Sequence, residues 1–425
     1  MRSLNFVSHT QCTICGNHYA LDEVQYTCPT CGPAGTLDIR YDFERLRAEF
    51  TLDQVARSGL ATMWRYGPLL PVTEAHCIPP LPVGWTPLID APRLAESSGV
   101  TSLWIKDDGR NPTASLKDRA SAMAVARAMQ IGAPVVTTAS TGNAAAALAG
   151  VCASAGKKAV IFVPATAPEA KIAQMLVFGA TVFAVQGTYD DAFDLCVQTA
   201  QEYGWYCRNT GMNPFTTEGK KTAAFEIAEQ LGWHAPDVLV VSVGDGSIIG
   251  AQHKGFRDLL AMGWIDKMPR LIGVQAEGSS ALVRAWRQGQ DAATMQAGPA
   301  DTIADSISAG LPRDRVKALR AVRESGGQFV SVPDSAIIAA IPELARQTGV
   351  FAEPAAAATL AGLRQAQLEG AIRPDERIVL LITGSGLKDI RSAMRSVGTA
   401  TPVENSMADV RRLIEKLALV GNPAQ

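Results

Sequence analysis

The chain has 425 residues, about three times a typical domain of roughly 150, so two or three domains are expected. Its 47% hydrophobic and 19% charged residues describe a globular protein with a large core. The 39 basic and 41 acidic side chains leave a formal charge of −2, which supplies no field for gathering nucleic acid or an anionic membrane surface. No stretch approaches the roughly 18 uninterrupted apolar residues of a membrane span, and the opening "MRSLNFVSHTQC" has no apolar run of signal-peptide length. A cytoplasmic protein is expected, with neither nucleic acid nor membrane as a partner.

The first predicted element is a cysteine ribbon over residues 1–38. Cys12, Cys15, Cys28 and Cys31 form C-x2-C, twelve intervening residues, then C-x2-C. Two such pairs on knuckle turns present four thiolates tetrahedrally to a structural zinc, and Gly16 and Gly32 suit the tight turn after each pair. The alternative is a ribbon of reduced cysteines that has lost its metal. A redox pair is disfavoured, because no βαβ pattern surrounds either C-x2-C. Cys77, Cys152, Cys196 and Cys207 are scattered and read as small core residues.

A charged helical stretch, "YDFERLRAEF", and a proline-rich connector ending in "CIPPLPVGWTP" follow. From about residue 100, short β-branched runs alternate with helical ones. The predicted strands are 134–138, 159–163, 181–185, 238–243, 271–276 and 378–383. That alternation predicts an α/β protein with parallel sheets covered on both faces. The division expected is a large domain from 39–132 and 208–400, a small domain over 133–207, and a C-terminal helix over 401–425.

In such folds ligands bind beyond the carboxyl ends of the strands. After 134–138 comes "ASTGN", hydroxyls, a glycine and an amide at a helix start, which suits an anion such as a carboxylate but is also a good helix cap. After 238–243 comes "GDGSIIGA", a glycine turn into a helix whose amides can cradle a phosphate. It lacks a P-loop lysine and does not match G-x-G-x-x-G, so a nucleotide fold is disfavoured. After 378–383 comes "TGSGLKD", a third turn rich in hydroxyls. A lone lysine, Lys117 in "NPTASLKDRA", stands at the start of an alanine-rich helix. A phosphate-bearing cofactor, a carboxylate loop and a lysine amine are together what pyridoxal 5′-phosphate needs.

The motifs "NPTASLKDR", "STGNAAAALA", "NPFTTEGKKTAAFEI", "VSVGDGSIIG", "GVQAEG" and "EPAAAATLAGL" occur in the order found in threonine synthases. With the ribbon and "LITGSGLKD", the chain resembles the threonine synthase family of fold type II pyridoxal-phosphate enzymes over nearly its whole length. The resemblance implies the tryptophan synthase β type of fold, with two parallel-sheet domains plus the zinc-ribbon-like segment, and a homodimer. It makes Lys117 the Schiff-base lysine and the proton carrier at the substrate α-carbon. It sets Asn143 beside the cofactor's 3′-oxygen and Ser140, Thr141 and Gly142, with Asn143, in the substrate-carboxylate loop. Gly244, Asp245, Gly246 and Ser247 match the cofactor-phosphate loop, with the Asp245 carboxylate turned away or capping the helix that follows. Either Thr383 or Ser385 meets the pyridine nitrogen.

Several positions depart from the family pattern. Ala114 stands where glycine is usual, Leu116 where phenylalanine is usual, and Ala144 where threonine often follows the loop asparagine. Gly211 and Thr216 replace a serine and an arginine associated with the phosphate of O-phosphohomoserine. Losing that arginine removes a charge-assisted donor, for which Lys220, Lys221, Arg119 or Arg208 could substitute. The expected activity is a lyase reaction on a small amino acid, by elimination or replacement at the β- or γ-carbon. For a threonine synthase this is O-phosphohomoserine to threonine and phosphate. The alternative is a β-eliminating or β-replacing paralogue, such as a hydroxy-amino-acid dehydratase, a diaminopropionate ammonia-lyase or a cysteate-synthase-like enzyme. A catalytically dead relative using its ribbon as a binding module is disfavoured by the intact Lys117 and both cofactor loops.

Overall fold

The computed structural model describes residues 6–419 except 73 and 168, and, of residues 170 and 171, the backbone alone. Among the described residues thirteen strands run in chain order: β1 (Val7–Cys12), β2 (His18–Tyr19), β3 (Leu37–Tyr41), β4 (Leu88–Asp90), β5 (Ser102–Asp107), β6 (Val135–Ala139), β7 (Lys158–Pro164), β8 (Thr181–Val185), β9 (Tyr206–Cys207), β10 (Val238–Ser242), β11 (Arg270–Ala276), β12 (Gln328–Val332) and β13 (Arg377–Ile382). They form three sheets, ordered β2-β1-β3, β12-β11-β10-β13-β5-β4 and β8-β7-β6-β9.

The ribbon is the antiparallel sheet β2-β1-β3. Gly16 and Gly32 take φ of +76° and +61° immediately after the second cysteine of each pair, the left-handed turn that the sequence reading requires there. The ribbon is tied to the body of the protein through β3. Lys254 donates to Ile39 O (2.7 Å) and Lys317 to Leu37 O (2.8 Å), and the Lys317 ammonium lies 3.4 Å from the Asp38 carboxylate.

The six-stranded sheet is parallel except at its edge, where β4 pairs antiparallel with β5. That edge pairing adds to the expected parallel sheet; β4 reaches β5 through the short helix Pro92–Ser97 rather than a full crossover. Its central strands are apolar on both faces, with Val238, Val240, Ile272, Leu380 and Leu381 fully buried. The four-stranded sheet is parallel throughout. At the chain's end the helix runs Met407–Lys416, begun by Ser406, whose hydroxyl accepts from Asp409 N; residues 420–425 lie outside the described residues. No helix of the described residues is long and apolar enough to cross a membrane.

Candidate active site

Three turns beyond strand ends meet around Lys117. The lysine begins the helix Lys117–Gln130, whose approach is fixed by backbone bonds to the turn after β13. Leu116 N donates to Thr383 O (2.9 Å), Ser385 N donates to Ala114 O (3.1 Å), and Ser115 bridges Gly384. Ala114 is held at φ +64°, a left-handed conformation in which glycine carries no penalty, which explains why glycine is usual at this position.

Behind the lysine lies a buried ionic network. Two residues on, Arg119 donates to Asp108 (2.7 and 2.8 Å) and to Glu226 (2.5 and 2.8 Å), and Lys106 donates to Glu226 at 2.7 Å. Trp85 N and Thr86 N also donate to Glu226. This network fixes the first turn of the helix and therefore the origin of the Lys117 side chain. The Lys117 amine makes no hydrogen bond or ion pair among the described residues. Burial, and then the Arg208 charge, push its pKa down to about 8, with Glu353 and Asp245 pulling the other way. An amine with that pKa carries a substantial neutral fraction near pH 8, as a nucleophile and proton carrier needs.

After β6, Ser140, Thr141 and Gly142 lead into the helix Asn143–Ser154. No side chain caps this helix, so the loop's polar groups are not spent on its start; Ser140 Oγ accepts from Gly142 N instead (3.2 Å). Asn143 Nδ2 donates to both Glu353 oxygens (2.9 and 3.0 Å). Thr141, Gly142, Asn143, Ser306, Glu353 and Lys388 are among the walls of a cleft of about 560 Å³. Another hollow, of about 420 Å³ beside Trp233 and Trp264, is remote from these residues in sequence and shares none of them.

After β10, Gly244, Asp245 and Gly246 turn the chain into the helix Ser247–Met262. Gly246 has φ +88°, and a Cβ there would stand 2.6 Å from Ala318 Cβ; at Gly244 it would stand 2.8 Å from Ile307 Cα. The N–H groups of Gly244, Asp245 and Gly246 donate to no backbone acceptor among the described residues. The Asp245 carboxylate is turned away from its own helix, one of its two expected courses. It accepts from Arg313 N (3.2 Å), before the helix Arg315–Glu324, and the N-cap of its own helix is Gly246, with no side-chain cap.

Thr383 and Ser385 differ. Ser385 Oγ accepts from Leu387 N (3.3 Å), capping its own turn, whereas the largely buried Thr383 hydroxyl makes no hydrogen bond among the described residues. In the ribbon, the Sγ atoms of Cys12, Cys15, Cys28 and Cys31 all lie within 4.8 Å of one another, a donor set suited to zinc. Cys77, Cys152, Cys196 and Cys207 are buried, as small core residues should be.

The pyridoxal-phosphate dependent enzyme family matches residues 80–384. The chain is 40% identical to a threonine synthase of Methanocaldococcus jannaschii over 408 residues, 96% of this chain and 99% of the relative. It is 39% identical to a threonine synthase of Methanosarcina acetivorans, over 96% and 98% of the two chains. The chain belongs to the threonine synthase family of pyridoxal-phosphate dependent enzymes. Solved structures similar in fold include diaminopropionate ammonia lyase from Escherichia coli (TM-score 0.64, 20% identity, 82% of this chain and 92% of that one). A fungal L-serine ammonia-lyase from Rhizomucor miehei aligns with TM-score 0.64 and 19% identity over 73% and 96%.

The residues present fit the family's cofactor. An amine with a lowered pKa stands free of partners, and a glycine turn too tight for side chains presents uncommitted N–H groups at a helix N-terminus. Sequence reasoning missed Glu353 as a site residue, although it opens "EPAAAATLAGL". The available signal was an acidic residue before a helix of buried alanines, where a charge needs a polar partner. Ser306, on a loop without a motif, carried no such signal, and Lys388 was passed over although it lies in "TGSGLKD".

Proposed function

We propose that this member of the family is a cytoplasmic, homodimeric threonine synthase, converting O-phosphohomoserine to threonine and phosphate. The observation that carries the reading is Lys117, free of partners among the described residues, depressed in pKa and within reach of the Glu353 and Asp245 charges. It is supported by identity to threonine synthases over nearly the whole chain.

In this reading residues 39–132 and 208–400 form the cofactor domain and 133–207 the small domain. Gly244–Ser247 would hold the phosphate of pyridoxal phosphate, with Asn143 on the 3′-oxygen side and Thr383, the uncommitted hydroxyl, on the side of the ring nitrogen. Bound there, the cofactor supplies an electron sink for negative charge at the substrate carbons. Ser140, Thr141 and Gly142 orient the substrate carboxylate. The Lys117 amine carries protons at the α- and β-carbons, phosphate departs from the γ-carbon, and water adds at the β-carbon.

A second reading, β-elimination from a smaller amino acid, is favoured by Gly211 and Thr216 in place of serine and arginine. The Thr216 hydroxyl is committed to Asn213 O (2.8 Å). Incubating the enzyme separately with O-phosphohomoserine, serine, threonine, phosphoserine and 2,3-diaminopropionate, and following phosphate, ammonia and keto acid, decides between them. Phosphate and threonine from O-phosphohomoserine support the first reading; ammonia and keto acid from the others alone overturn it.

A further inference from the structure

Of the buried lysines and arginines among the described residues, Lys106, Arg119, Arg127, Lys221, Lys254 and Lys317 each have a carboxylate within 4 Å. Arg208 and Lys220 have none, and both side chains are wholly shielded from solvent. A buried cation without a counter-anion is strongly unfavourable, so such a group either gives up its proton or takes a compensating anion.

The surroundings of the two cations point to its place. Lys220 ends the helix Phe215–Lys220, and its ammonium donates to Ser247 Oγ at 3.1 Å, in the first turn of the 16-residue helix behind Gly244–Gly246. Gly219 brings this short helix against the one that carries Lys117; a Cβ at Gly219 would stand 2.0 Å from Arg119 O. Arg208, just beyond β9, donates through Nε to Ser121 Oγ (3.1 Å), one turn along from Lys117, and through Nη1 to Thr210 Oγ1 (3.1 Å). Its Nη2 is buried with no partner among the described residues. Burial, followed by the charges of Arg208 and Lys117, holds the Lys220 pKa well below the usual lysine range, so the three cations stand close enough to interact. Where the family pattern sets an arginine, Thr216 stands 3.5 Å from the Lys220 ammonium.

We propose that Arg208 and Lys220 form a receptor for a phosphate monoester dianion, supplied by the cofactor or by a phosphorylated substrate. The proposal rests on the reading above that the protein handles pyridoxal phosphate and O-phosphohomoserine. The Ser247 contact of Lys220 sets it at the glycine turn, and Arg208 extends the positive region toward Lys117. The positive charge lost at Thr216 is thereby restored from two other positions.

The test uses the full chain stripped of cofactor, as wild type and as Lys220→Met, Lys220→Arg and Arg208→Met. Binding of pyridoxal phosphate and of pyridoxal is followed by absorbance, and binding of inorganic phosphate by thermal shift. With the cofactor saturating, KM and kcat are measured for O-phosphohomoserine. Loss of either cation should weaken inorganic phosphate binding by about 10- to 150-fold, the range for a charge-assisted hydrogen bond. A matching loss for pyridoxal phosphate, with pyridoxal unchanged, assigns the receptor to the cofactor. A raised KM for O-phosphohomoserine with kcat held assigns it to the substrate.

Lys220→Arg should retain the binding that Lys220→Met loses. Stripped Lys220→Met should also melt at a higher temperature than stripped wild type, because a buried amine without a counter-anion has gone. Unchanged binding of phosphate, pyridoxal phosphate and O-phosphohomoserine in all variants overturns the proposal. Equal weakening of pyridoxal and its phosphate overturns it too. If O-phosphohomoserine is never turned over but the pyridoxal-phosphate arm responds, the receptor stands and only the substrate reading fails.

Discussion

Glu226 is the acceptor on which the support behind Lys117 converges, and Glu226→Gln tests how much that support contributes. The carboxylate is fully buried and accepts from Arg119, Lys106, Trp85 N and Thr86 N. Those partners hold its pKa at about 2, below the ordinary 4.5, against the opposing effect of burial. Each tenfold change in proton affinity is worth about 1.4 kcal/mol, so the folded state favours the ionised form by about 3 kcal/mol. Removing one partner of a buried pair costs roughly 3–5 kcal/mol, which is consistent. The Arg119 pKa rises well above its usual value, whereas that of Lys106 stays lowered because burial outweighs its pairing. We therefore assign most of the effect to the Arg119–Glu226 pair. Because the folded pKa is depressed, this contribution is present in full above about pH 4.5 and is lost as pH falls toward about 2. Urea unfolding of the wild type and Glu226→Gln, followed by circular dichroism from pH 7 downward, measures it. Glu226→Gln should be about 3 kcal/mol less stable at pH 7, with the gap closing below pH 4.5. An unchanged midpoint at pH 7, or a gap that does not depend on pH, refutes the reasoning.

Lys117→Ala should abolish covalent retention of the cofactor, and borohydride reduction followed by peptide mapping should label Lys117 in the wild type; label on another lysine contradicts the assignment. Because the amine pKa is about 8 and the neutral amine is the nucleophile, the rate of cofactor capture by stripped protein should rise with pH through about 8 and then level off. Ala114→Gly should relieve a left-handed alanine and raise stability by up to about 1 kcal/mol, read as a higher melting temperature. Metal analysis should find about one zinc per chain, and Cys12→Ser with Cys28→Ser should remove it. That double variant should also lose stability, since Lys254 and Lys317 are anchored on β3 of the ribbon.

The parallel strands were legible because strands buried on both faces need uninterrupted apolar runs, as in Val238–Ser242 and Arg377–Ile382. The strands missed carry weaker signals. β5 interleaves a buried lysine and aspartate, stabilised by Glu226 and the Gly109 amide, and β12 is an edge strand with only three of five residues buried. Asn143 and the glycine turn could be read because each follows a predicted strand end, and Lys117 because it is a lone lysine at the start of an alanine-rich helix. Glu353 and the pairless state of Arg208 and Lys220 could not. Whether a charge has a partner depends on contacts between segments far apart in sequence, such as Asn143 with Glu353 or Lys220 with Ser247. Which of its two expected courses the Asp245 carboxylate takes is likewise fixed at a distance, by Arg313 N in another loop.

The central claim is that phosphate leaves by carbon–oxygen cleavage and that water then adds to the substrate's β-carbon, with Lys117 carrying the protons. Turnover of O-phosphohomoserine in water enriched in oxygen-18, with mass analysis of both products, tests it most directly. The account expects the label in the hydroxyl of threonine and none in the released phosphate. Label in the phosphate, with homoserine as the organic product, would contradict it.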